Sequence, residues 1–141
     1  MSTPTQSPSA RTSRRLTSRP DLASAGADTL AVVVFVLVGR GSHDEGSVVL
    51  GTLTTAWPFL AGAGLGWLAL LAWRARGCEW RSDSLPAGAV VLSGTLVGGM
   101  LLRRLSGTGG TPLSFVVVAT TFLSLALLGW RGVVGFRRRR A

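Results

Sequence analysis

The sequence predicts an all-α fold: an integral membrane bundle of four transmembrane helices with both termini cytoplasmic. Three observations predict it. Hydrophobic residues make up 47% of the 141 residues, yet the formal net charge is +9; in a soluble globule these two facts pull against each other. Apolar blocks alternate along the chain with short arginine-bearing gaps, which is a membrane pattern. Each of the four blocks lies in or beside the length of about 20 residues that a helix needs to cross roughly 30 Å of hydrocarbon.

Residues 1–21 are rich in Ser, Thr, Pro and Arg with almost no large apolar side chain, so they are expected to form a disordered cytoplasmic tail. The transmembrane domain is predicted over 22–131, with helices at about 22–39, 48–73, 86–102 and 113–130, and a basic cytoplasmic tail at 132–141. The first block carries Asp28 inside its apolar stretch and has no A-x-A-like site after it, which argues against a cleaved signal peptide. The second is the longest and should kink at Pro58, whose ring crowds the carbonyl of Thr54 and which has no N–H to donate. The gaps "RGSHDEGS", "RARGCEWRSDSL" and "RRLSGTGGTP" are short and force antiparallel neighbours.

Arginine bias sets the orientation. Both tails and the middle gap hold Arg11, Arg14, Arg15, Arg19, Arg74, Arg76, Arg81, Arg131 and 137–140, against Arg40, Arg103 and Arg104 on the other side. The positive-inside rule then puts both termini in the cytoplasm and the chain in a plasma membrane as a multi-pass protein. Trp73, Trp80 and Trp130 fall near the cytoplasmic interface, where amphipathic rings are favoured.

Asp28 is the anomaly. Residues 29–39 are too short to span a bilayer, so Asp28 must lie inside it. An Asp at mid-membrane costs roughly 2.5–3.5 kcal/mol, and each Val, Leu or Phe returns about 0.3–0.6; the run from Val32 to Val38 only about offsets it, and the helix needs partners. Ser24, Asp28, Ala31 and Phe35 share a helical face, so Asp28 is expected to face the bundle interior. At matching depth in the other helices lie Trp67, Ser93 and Ser124. Ser93, Thr121 and Ser124 are the expected hydrogen-bond partners of Asp28, as a polar clasp between helices; the sharper reading is a proton- or cation-handling carboxylate.

Gly62 and Gly66, and Gly94 and Gly98, form GxxxG spacings that permit close helix packing. Arg40, His43, Asp44, Glu45, Arg103 and Arg104 collect on the outer face, where Arg40, His43, Arg103 and Arg104 join Asp28 as candidate functional polar residues. Three consecutive residues rarely converge on one ion, so no metal site is expected. No nucleophile–base arrangement is visible, the single histidine and the single cysteine (Cys78) lying on opposite faces, and no cofactor is expected. Arg103 and Arg104 are suited to cap a helix C-terminus and reach the headgroups. Arg137, Arg138, Arg139 and Arg140 are suited to anionic lipid; nucleic acid is not an expected partner, since no folded basic domain is left to support it.

The segments "ADTLAVVVFVLVGRGSH", "AWPFLAGAGLGW", "GGMLLRRLSGTGGTPLSFVVVA" and "LLGWR" resemble the blocks of the domain-of-unknown-function 3054 family, small bacterial integral membrane proteins. The matching positions are Asp28, Gly39, Arg40, His43, Trp57, Pro58, Phe59, Arg103, Arg104, Gly107, Trp130 and Arg131, while the middle gap with Cys78 and Trp80 matches nothing in that pattern. The resemblance implies the four-helix architecture and no activity. The expected function is a non-enzymatic membrane protein that packs with itself or with a larger membrane partner. The alternative is a small proton- or cation-linked transporter using Asp28.

Overall fold

The computed structural model describes residues 19–40, 48–107 and 110–140. Four helices account for nearly all of them, and the described residues contain no strand. The first helix is Arg19–Arg40, the second Val48–Ala75 and the fourth Leu113–Arg140. The third runs Leu85–Leu105, with one π-helical turn at Gly94–Gly98 in its middle. All four are long and apolar enough to cross a membrane.

Local chemistry sets the helix ends. Ser84 caps the third helix by accepting from the Ala87 N–H at 3.4 Å, with Pro86 in the first turn, where a missing N–H does no harm. The second helix closes through Gly77, whose φ of +101° suits only a residue without a Cβ, with the Cys78 N–H donating back to the Trp73 carbonyl. Pro58 is buried inside a helix that continues on both sides of it, and the Thr54 hydroxyl donates to the Gly51 carbonyl.

Three boundaries differ from the sequence expectation. The first helix begins at Arg19, so residues 19–21 are helical and not part of a tail; residues 1–18 lie outside the described residues. The third helix extends to Leu105. The fourth does not stop at 130 but runs to Arg140, so 132–140 form helix instead of a basic tail. Arginine is a good helix former and is favoured at a helix C-terminus, where it faces the negative end of the dipole.

The helices form a ring in which the first packs between the second and the fourth, and the third packs between the same two from the other side. Val32, Phe35, Val36, Phe59, Val91, Leu123 and Leu127 fill the centre. Phe35 is the hub of an aromatic group, meeting Phe59 edge-on at 5.6 Å and Phe122 and Phe115 at 5.7 and 6.1 Å. Leu30, Leu37, Leu53, Leu68, Leu101 and Leu125 point outward and are exposed, as the lipid-facing side of a membrane bundle requires.

The second and third helices touch backbone to backbone. A Cβ at Gly62 would meet the Gly94 carbonyl oxygen and the Gly99 nitrogen at 2.7 Å, and one at Gly66 would meet the Val91 Cα at 2.7 Å. Both GxxxG spacings are therefore used within the chain. The π-helical turn lies at this contact, and it places Thr95, fully buried, with its hydroxyl donating to the Val91 carbonyl at 2.7 Å.

Candidate functional site

The polar residues gather where the first helix begins, the second ends and the fourth ends. Asp28 lies nine residues into the first helix, about 13 Å along its axis, and is 1% exposed. Arg131 on the fourth helix is equally buried. Their contact is a bidentate fork: Nη1 donates to Oδ1 at 2.7 Å and Nη2 to Oδ2 at 2.8 Å. Two indoles complete it. Trp67 Nε1 of the second helix donates to Oδ2 at 3.1 Å, and Trp130 Nε1 of the fourth donates to Oδ1 at 3.2 Å.

An ionised carboxylate offers about four acceptor positions on its two oxygens. Here four donors occupy them. Arg131 is nearly as fully engaged, because Nε also donates to the Ser82 carbonyl at 3.1 Å and Nη1 to the Leu127 carbonyl at 2.9 Å. Its guanidinium carbon also lies 4.4 Å from the centre of the Trp130 ring. The third helix makes room for this side chain with Gly88, where an added Cβ would meet the Arg131 Cδ at 2.6 Å.

The connection between the second and third helices closes over the pair. The Ser24 hydroxyl donates to the Ser82 hydroxyl at 3.4 Å, and Arg74 holds Asp21 at 2.9 Å. Asp83 is bridged by Arg81 at 3.2 Å and by Arg138 of the fourth helix. Burial raises the Asp83 pKa, but the hydrogen bonds and charges of Arg138 and Arg81 outweigh it, and the carboxyl lies below its ordinary value of 3.8. Trp73 and Trp80 meet edge-on at 5.6 Å beside this layer.

Asp28 thus faces the interior, but its partners are not the ones expected from depth. The Ser93 hydroxyl donates to the Ala89 carbonyl of its own helix at 2.8 Å. Thr121 is exposed and Ser124 half-buried, and neither bonds Asp28. The physical reason is competition: a guanidinium fork with two indoles satisfies a buried carboxylate better than neutral hydroxyls do, and the Ser93 hydroxyl takes a carbonyl on its own helix instead. Arg131 was hidden by the expected helix end at 130, which left it at the interface. The spacing of Leu123, Leu127 and Arg131, four residues apart, is the pattern that places it on the core face.

The candidate residues of the opposite end are not drawn to Asp28. Arg103 stacks on Phe115, its Cζ 4.8 Å from the ring centre, and Nε donates to the Gly110 carbonyl at 3.2 Å. Arg104 is exposed. Both stand in the last turn of the third helix. Arg40 closes the first helix; His43, Asp44 and Glu45 lie outside the described residues. Among the described residues no three His, Cys, Asp or Glu side chains converge on a common point.

A ring of four membrane-spanning helices locked by a buried carboxylate–guanidinium pair defines a small multi-pass membrane protein. The family described as "Protein of unknown function (DUF3054)" matches residues 25–134. The chain belongs to that family, and the match runs from within the first helix to within the fourth, taking in Asp28 and Arg131. No curated protein and no solved structure matched it.

Proposed function

We propose that this protein is a non-enzymatic subunit of the plasma membrane, both termini cytoplasmic, in which Asp28 is a structural clasp and the rigid bundle is what a membrane partner packs against. The observation that carries this reading is the saturation of the carboxylate. A proton carrier needs a free lone pair, and a cation site needs oxygens turned toward an open path. Asp28 has neither: Arg131, Trp67 and Trp130 fill its acceptor positions, and the guanidinium already neutralises its charge. Arginine bias supports the orientation, because the end that gathers Arg74, Arg76, Arg81 and 137–140 is the end the positive-inside rule retains in the cytoplasm.

The test is proton flux in liposomes reconstituted with the full chain and with Asp28→Asn. The expected result is no flux above empty liposomes for either protein, together with a lowered unfolding midpoint for the variant. A wild-type flux that Asp28→Asn abolishes while the variant stays as stable as the parent would replace the clasp with a transporter.

A further inference from the structure

The fourth helix has a second face. Gly129, Gly132, Val133, Phe136, Arg137 and Arg140 follow one another at steps of three, one, three, one and three residues, which keeps them on one side of an α-helix. They line a groove of about 650 Å³ on the outside of the bundle. This side is turned away from the core, where Leu123, Leu127 and Arg131 point inward. Gly129 and Gly132 form the floor, and a Cβ added to either would meet nothing within 4 Å. Val133 and Phe136, both more than half exposed, form apolar walls.

The arginines at the end of the helix divide between the two faces. Arg138, seven residues beyond Arg131, turns inward to Asp83. Arg137 and Arg140 turn to the groove and have no acid partner among the described residues. Arg140 lies flat on Phe136, its Cζ 4.1 Å from the ring centre, which leaves the edges of the guanidinium free to donate. Arg137 stands about 12 Å along the axis from Gly129. An apolar channel at membrane depth therefore leads to two cations at headgroup height.

We infer that this groove is a binding site for one anionic phospholipid, whose acyl chain lies over Gly129, Gly132 and Val133 and whose phosphate is held by Arg137 and Arg140. A second copy of the chain fits less well. A two-fold contact across the glycines would bring the Arg137 and Arg140 pairs of both copies together, a like-charge juxtaposition with no acid to relieve it. A lipid supplies both the slim hydrocarbon that the glycine floor admits and the negative charge that the arginines lack.

The experiment is native mass spectrometry of the full chain in detergent, titrated with phosphatidylglycerol or phosphatidylcholine. One tightly retained phosphatidylglycerol is expected, with phosphatidylcholine weaker. Arg137→Gln/Arg140→Gln should weaken phosphatidylglycerol binding about thirty-fold, at about 1 kcal/mol for each arginine near the surface. The charge-matched Arg76→Gln/Arg139→Gln pair, both exposed and outside the groove lining, should weaken it less than about threefold, because neither holds the phosphate. Gly132→Leu, which fills the floor without touching the core, should weaken it with all charges intact. Equal losses from the two arginine pairs would mean that total charge alone is sensed, and the inference fails. It fails equally if Gly132→Leu binds like the wild type, if phosphatidylcholine binds as tightly, or if the groove variants disrupt a dimer instead of a lipid complex.

Discussion

Removing Arg131 isolates the physics of the site. Arg131→Gln deletes two bonds to Asp28 and one to Ser82, the three bonds of Arg131 that leave its own helix. Hydrogen bonds between helices in bilayers average about 0.6 kcal/mol and reach about 1.7. Three of them give roughly 2–5 kcal/mol by that scale, in line with about 3–5 kcal/mol for breaking a buried ion pair in soluble proteins. The carboxylate left behind would keep two indole donors but no countercharge, so a loss of about 3 kcal/mol is expected. Asp28→Leu should cost about as much, because it strands the guanidinium.

The double variant Asp28→Leu/Arg131→Met carries the decisive information. If the cost of each single variant is that of an orphaned charge, removing both charges removes that cost, and the double variant should be no less stable than either single one. The assay is reversible unfolding in mixed micelles, followed by far-ultraviolet circular dichroism, for all four members of the cycle. A coupling energy of about 3 kcal/mol is expected by this reasoning. A coupling below about 0.5 kcal/mol, within ordinary additivity error, would refute it and leave Asp28 and Arg131 as neighbours without a shared energetic role.

Further outcomes follow from other contacts. Gly62→Ala and Gly66→Ala should each lower stability by about 1–3 kcal/mol in the same unfolding assay, the range for overpacking a rigid contact, since the new methyl meets backbone at 2.7 Å; Gly64→Ala, with open space around it, should be neutral. Asp83 has a folded pKa lowered from 3.8, so its stabilising contribution is present above the unfolded value and is lost as pH falls through the folded one. Thermal unfolding midpoints should therefore drop on acidification below about pH 4, and Asp83→Asn should flatten that part of the profile; an unchanged profile would dismiss the Arg138 link. Cys78, a free and half-buried thiol between the second and third helices, should resist a membrane-impermeant maleimide outside intact cells and react after permeabilisation. Labelling of intact cells would invert the proposed orientation.

The architecture was legible because membrane crossing imposes a strong and simple demand on composition: long apolar runs with charges confined to the gaps. The inward face of the first helix was legible for the same reason, since Ser24, Asp28 and Phe35 recur at helical spacing and all three are buried. The partner of Asp28 was not. A matching depth depends on where each helix ends, and ends are set by local details such as the Arg138–Asp83 link that carries the fourth helix past residue 130. The role of Gly88 was also out of reach, because it exists only through the stem of Arg131 passing over it. The π-helical turn left no pattern beyond the glycines that flank it.

These facts bear on how the bundle assembles. The first helix alone is barely apolar enough to hold Asp28, the cost of about 2.5–3.5 kcal/mol being roughly matched by its valines and leucines. Its compensation sits on the fourth helix, about a hundred residues later in the chain, with Trp67 of the second helix as the intermediate support. The second and third helices need no such help, because their glycines let them pack backbone to backbone. That contact can form first and present Trp67 on one side and Gly88 on the other. The fourth helix then brings Arg131 through the space at Gly88 to the carboxylate. Only one rotation of the fourth helix allows this, since a turn of 100° would swing Arg131, together with Leu123 and Leu127, away from the core. The ion pair therefore selects the rotation as well as the partner, and that selection leaves Gly129, Gly132, Arg137 and Arg140 on the outside, facing lipid.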